Sequence, residues 1–245
     1  AGAYGGGMAV SGENLVSLNR AHFTGQSAGA GGAMAAINGA SLDLQDILCR
    51  YNESDFRGGT LLMDGTEHPS LVWKGGEIRD GRAGRDGGAI ALSNLRSVDL
   101  SELLMESNDA GEESYGGGIY LEDVEAVTVQ NSRISANTAA FGGGIYETGT
   151  FTDTDLWRNL VLDGNIAHYC GGACFIGGSG TQFYNNSVIS NHADTEGGGI
   201  VVHINTIQIR NNLFYHQEDG AALQGYSLTA QEALAWNAWW ENTVD

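Results

Sequence analysis

Proline is nearly absent: the 245 residues hold one, Pro69, beside 38 glycines. Glycine-rich chains that stay disordered are commonly rich in proline or serine too, so this glycine belongs inside ordered structure. Basic residues are also scarce, eleven against thirty acidic ones for a net charge of −19, and they are scattered along the chain. Phosphate backbones and anionic membranes need clustered Lys and Arg, so no nucleic-acid partner is expected. No run of eighteen apolar residues occurs and the first ten residues lack the basic and apolar regions of a signal peptide. The segment is therefore expected not to insert into a membrane, with any export signal lying outside it. Three cysteines, Cys49, Cys170 and Cys174, are too few for a disulfide framework or a zinc site. Buried thiols are expected rather than a Cys170–Cys174 bridge, given the geometry a bridge demands. Helical periodicity is missing apart from a weak pattern from Ala230 to Trp240, and the single Asn-Gly pair, Asn38-Gly39, argues against a stack of hairpins.

What the chain does contain is a repeat. Two glycines (Gly-Ala in the last, degraded copy), a small residue and an apolar one recur from Gly5, Gly31, Gly58, Gly87, Gly116, Gly142, Gly171, Gly197 and Gly220, at spacings of 26, 27, 29, 29, 26, 29, 26 and 23 residues. A second signal precedes most of these copies by five to eight residues: Asn52, Asn108, Asn137, Asn165 and Asn191, with Gln26 and Asp80 standing in elsewhere. A third lies further upstream, at Asn19, Asn131, Asn159 and Asn186. Between them run three short segments of period two, such as Ala126 to Val129, which read as strands of three to five residues.

One such period is one turn of a three-sided solenoid, and the physics of stacking explains its residue types. Coils rise by roughly 4.8 Å, so equivalent residues form columns along the axis. Asparagine stacks through its amide and tolerates left-handed backbone, which suits a tight corner. Glycine serves the other corner, where no Cβ fits; Gly117, Gly143, Gly172 and Gly198 are the structural glycines expected there. The apolar column is read as Met8, Met34, Leu61, Ile90, Ile119, Ile145, Cys174, Ile200 and Leu223. The fold expected is all-β: a right-handed parallel β-helix of eight to nine coils in a single domain over residues 1–245. The register runs to both ends of the chain, which is expected to be a segment of a longer solenoid or a subunit that associates end to end.

The Gly-Gly-Ala/Gly-Ile motif, alternating with an Asn motif every 25 to 30 residues, resembles the repeats of the polymorphic outer-membrane protein family and related β-helix passengers of bacterial surface proteins. That resemblance implies export to the cell surface or extracellular space, and adhesion, display or matrix roles with a carbohydrate or protein partner.

Right-handed β-helices also house pectate lyases and polygalacturonases, so a polysaccharide-cleaving function is the rival expectation. It needs carboxylates converging on one face. The column read as Asp43, Leu71, Asp99, Thr128, Asp155 and Gln182 instead alternates its carboxylates, leaving about 9.6 Å between successive ones. Asp153 and Asp155, with Arg158, are the nearest approach to a calcium site, although a solvated loop explains them as well and calcium needs six or more oxygens. Calcium is the one cofactor this pattern admits. His168 and His192 fall near corresponding corners of adjacent coils and are expected as a surface stack rather than a metal pair. Tyr115 and Phe141, on consecutive coils, are expected to stack on the outside or cover a corner, and a stack there could serve as a carbohydrate platform.

Overall fold

The computed structural model describes residues 3–149, 155–177, 180–203, 206–217, 219–226 and 234–242. Its strands pair in parallel, each with the strand one coil away. Among the described residues, one sheet of nine strands forms one side of the solenoid, and a sheet of fifteen forms the other two because it is bent along its length. The bend is a column of left-handed residues, including Asp46 (φ 53°), Glu102 (59°), Asn131 (51°) and Asn159 (54°). In coils 2 to 4 a single ten-residue strand passes through it, as in Ser41–Arg50; from coil 5 the strand divides, as in Ala126–Gln130 and Arg133–Ser135. Two sheets of three short strands turn the chain toward the next coil.

The interior is a set of stacked aliphatic and aromatic columns, with Trp73, Trp157, Phe175, Phe183 and Phe214 among the largest buried side chains. The first column departs from the sequence reading in one coil. Ile145 lies over Ala173, and Ala173 over Ile200, so Ala173 and not Cys174 is the core residue. The cause is at the corner. Cys170 (φ 60°) takes the left-handed position that Gly116 (66°) and Gly142 (65°) fill in neighbouring coils, which delays the glycine pair by one residue. Gly117, Gly143, Gly171 and Gly198 therefore share one column, and Gly172 sits in the next, beside Gly144 and Gly199. Both columns are tight: a Cβ at Gly143 or Gly172 would press into the backbone carbonyl of the following coil. Cys174 points outward with Cys170, their Cα atoms 5.4 Å apart, and the two form a disulfide where buried thiols were expected. Cys49 is the free, buried thiol anticipated, and burial pushes it up to about 12.

The asparagine column stands. Asn52, Asn108, Asn137, Asn165 and Asn191 are all within 1% of complete burial. Asn165 shows the pattern: its Nδ2 donates to the Ile134 carbonyl at 2.9 Å, and its Oδ1 accepts from Asn137 N at 3.1 Å and Asn137 Nδ2 at 3.0 Å. Gln26 and Gln217 continue the column, but at coil 3 the position belongs to Gly81, not Asp80, which is the left-handed residue before it. The upstream asparagines separate into neighbouring columns. Asn131 and Asn159 are exposed at the bend, whereas Asn186 is buried and starts a second ladder through Asn212 to Asn237. The weak helical pattern near the C-terminus is not a helix in its described part: Leu234–Ala235 and Ala238–Trp240 are strands that pair with the preceding coil, and Trp239 stacks on Phe214 at 4.3 Å. Strand pairing with the preceding coil and stacking on Phe214 outweigh a marginal helical preference there.

Replacing Asn165 with Leu strips the partners from the Ile134 carbonyl and from two donors of Asn137. Each buried group left unpaired costs about 1–3 kcal/mol. Asn165→Leu should lower stability by about 3 kcal/mol or more in chemical denaturation, and an unchanged midpoint would count against the ladder.

Candidate binding faces and a buried carboxyl pair

The residue before the left-handed corner is Tyr115, Phe141 and Tyr169 in coils 5 to 7, and the rings stack along the axis. Centroids are 5.0 Å apart for Tyr115–Phe141 and 4.9 Å for Phe141–Tyr169. This is the contact expected of Tyr115 and Phe141, extended by a third ring. Because the faces of Phe141 lie against its neighbours, the ladder offers solvent its ring edges and two phenol hydroxyls. Tyr120 and Tyr146 flank it on the nine-stranded sheet, with Tyr115 and Tyr146 4.6 Å apart. Burial pushes Tyr146 up to about 12 and Tyr120 higher still, so both stay neutral hydrogen-bond donors. On the earlier coils the same corner column carries charge. Arg57 Nε meets the buried Asp86 at 2.8 Å, Arg57 Nη1 meets Glu122 at 3.2 Å, and the guanidinium lies 5.2 Å from the Tyr120 ring.

The outward carboxylate column is Asp43, Val72, Asp99, Thr128, Leu156 and Gln182. Leu71 and Asp155, read into it from spacing, each sit one residue earlier and face inward, because a single-residue offset reverses the side of a strand. Asp43 and Asp99 remain two coil rises apart, roughly 9.6 Å.

Asp155 instead joins Glu147, which the sequence reading did not single out. Glu147 lies between Leu121 and Phe175 in a column that is otherwise apolar, and Asp155 stands next to Val127, whose N–H donates to its Oδ1 at 2.9 Å. The two carboxyls are within hydrogen-bonding reach, and Glu147 Oε2 is sealed from solvent. Burial first, then the charge of Asp155, pushes the Glu147 carboxyl well above the usual carboxylate range; the Trp157 indole opposes this weakly. The space beside them, about 20 Å³ and lined by Leu121, Val124, Phe175 and Thr181, has room for about one water. The pair can hold a proton between its oxygens but has no room for a substrate. A glutamate at the third residue after a Gly corner, where the other coils carry an aliphatic, small or aromatic residue, was the readable signal. Asp153 lies outside the described residues.

His168 and His192 meet through a carboxylate rather than by stacking. His168 Nδ1 and His192 Nε2 each lie 3.2 Å from an oxygen of Asp194, and those hydrogen bonds hold Asp194 below the usual range. Among the described residues, no three His, Cys, Asp or Glu side chains are disposed to hold a metal ion.

A hollow follows the bend of the fifteen-stranded sheet across coils 1 to 6. It measures about 900 Å³ and is lined by Arg20, Asp46, Glu77, Glu102, Arg133 and Asn159. Sequence reasoning missed it because a groove follows from the angle between two strand segments, not from a motif. No described helix is long and apolar enough to cross a membrane.

This chain belongs to the right-handed β-helix family, whose family model, the right handed beta helix region, matches residues 107–231, about half of its length. No curated protein and no solved structure matches it. The family establishes an architecture shared by surface proteins, lyases and hydrolases, so function has to be argued from the faces.

The carboxyl pair makes stability pH-dependent. Glu147 titrates near 4.5 when unfolded and well above that when folded, so its stabilising protonated form is fully present below pH 4.5 and is lost as pH rises through the folded value. The wild-type melting temperature should fall between pH 5 and 8. Glu147→Gln, neutral throughout, should stay flat over that window, each kcal/mol of difference showing as about 2–4 °C; parallel curves for the two proteins would refute the assignment.

Proposed function

We propose that this protein is a non-catalytic β-solenoid of the cell surface or extracellular space that binds a carbohydrate or protein partner along its side faces, in adhesion, display or matrix assembly. The observation that carries this reading is the distribution of surface chemistry. Like side chains recur at the coil spacing, as in the Tyr115–Phe141–Tyr169 ladder, while the outward carboxylates Asp43 and Asp99 stand two coils apart. A repeating surface makes many equal contacts to a repeating partner, whereas glycoside hydrolysis needs unlike groups gathered at one point. The phenol hydroxyls of Tyr115 and Tyr169 supply donors at the ladder edge, and the resemblance to passenger repeats of bacterial surface proteins agrees with an exported location.

A glycan array read with and without calcium, together with an assay for new reducing ends or unsaturated sugars, tests this. Binding without turnover is expected, and the double variant Tyr115→Ala/Tyr169→Ala should weaken it by tenfold or more, since aromatic contacts contribute about 1 kcal/mol each beyond burial. Steady release of cleaved sugar would replace this reading with the polysaccharide-cleaving one, with the groove along the bend as its site.

A further inference from the structure

The fifteen-stranded sheet differs electrically from the rest of the molecule. Its strands carry seven of the thirty acidic residues and six of the eleven basic ones, so nearly all of the −19 charge lies elsewhere. Beyond the bend, the charges on this sheet are consumed within the chain: Arg50 and Arg79 hold Glu77 at 2.8 and 3.2 Å, Arg79 also holds Glu106, and Arg133 holds Asp163. Before the bend there are five charged side chains, and Lys74 is paired with Glu102 at 3.3 Å. The other four are Asp43, Asp99, Arg158 and Arg210, none of them in a salt bridge among the described residues. Arg158 rests on the neutral amide of Gln130 at 3.0 Å, and Arg210 Nε has no partner.

Their order is the informative feature. Asp43 is on coil 2, Asp99 on coil 4, Arg158 on coil 6 and Arg210 on coil 8. The two negative and two positive groups are each separated by two coil rises, roughly 9.6 Å, and the sequence of signs is antisymmetric about coil 5. A twofold axis along the strand direction at Thr128 carries coil 2 onto coil 8 and coil 4 onto coil 6. We propose that this face binds a second copy of the chain in antiparallel orientation, with Asp43 of each copy meeting Arg210 of the other and Asp99 meeting Arg158. The arginines stand two residues further along their strands, roughly 6.6 Å, a span that an extended arginine side chain covers. Such an isologous contact pairs all four of these charges, and each ion pair occurs twice. A parallel side-by-side pairing would oppose like charges at all four positions, and the strongly acidic remainder of the surface repels a second copy everywhere else.

Exposed ion pairs are individually weak and screened by salt, so the dimer is expected at high protein concentration and low ionic strength. Sedimentation velocity at about 100 µM should show a dimer at low salt that dissociates in 0.5 M NaCl. Asp99→Arg sets two like-charged pairs across the axis and should weaken the dimer at least tenfold. Asp99→Arg combined with Arg158→Asp rebuilds the pairs with reversed polarity and should recover wild-type association to within about threefold. Both positions are exposed, and circular dichroism checks that the variants fold. A wild type that stays monomeric at low salt, a double variant no better than the single one, or species that grow beyond dimers as end-to-end joining would give, each overturns the proposal.

Discussion

Everything in this molecule depends on keeping the stacked coils in register, and the buried asparagine amides are the interaction that holds that register at the corner. An amide has donors and acceptors at one end of a short side chain, so one residue can satisfy a carbonyl of the preceding coil and two N–H groups of its neighbour in the column at once. A slip of one residue would leave all of these groups unpaired in a buried site and would turn the apolar columns outward. Glutamine 217 keeps the ladder intact with a longer side chain, and Gly81 still donates its backbone N–H to Asn108 at 2.9 Å, so the column tolerates a missing side chain but not a missing register.

The strength of that stacking allows irregularities elsewhere. Cys170 occupies a left-handed corner where glycine would cost less, and the coil absorbs it by moving the glycine pair one position along. Glu147 and Asp155 occupy inward positions where neighbouring coils carry Leu121 and Val127, within hydrogen-bonding reach of each other and beside the Trp157 indole. Polar groups placed inside an aliphatic column shift the Glu147 carboxyl upward and so link the stability of this coil to pH.

The surface follows the same logic of columns. Where a column holds rings they stack, as Tyr115, Phe141 and Tyr169 do; where it holds opposite charges they pair between coils, as Arg79 and Glu106 do. Groups left over after this pairing within the chain are the ones available to partners. They are few, and their positions relative to the coil count decide which partner geometry fits.

The sequence by itself determined the fold class, the period, the Asn column and the stacking of Tyr115 on Phe141, because each is a relation between residues one coil apart and a repeat writes that relation directly into spacing. It did not determine the phase within a coil. Counting residues placed Cys174 on the inner side of its strand and Asp155 on the outer side; the structure reverses both, with Cys174 still buried beside Cys170 and Val201, because loops of unequal length and a non-glycine corner shift the side of the strand on which a residue emerges. The disulfide, the Glu147–Asp155 contact, the carboxylate between His168 and His192 and the groove along the bend were decided by tertiary structure alone. Each joins groups whose side and direction depend on strand phase and bend angle, which are set by packing against neighbouring coils and leave no fixed interval in the sequence.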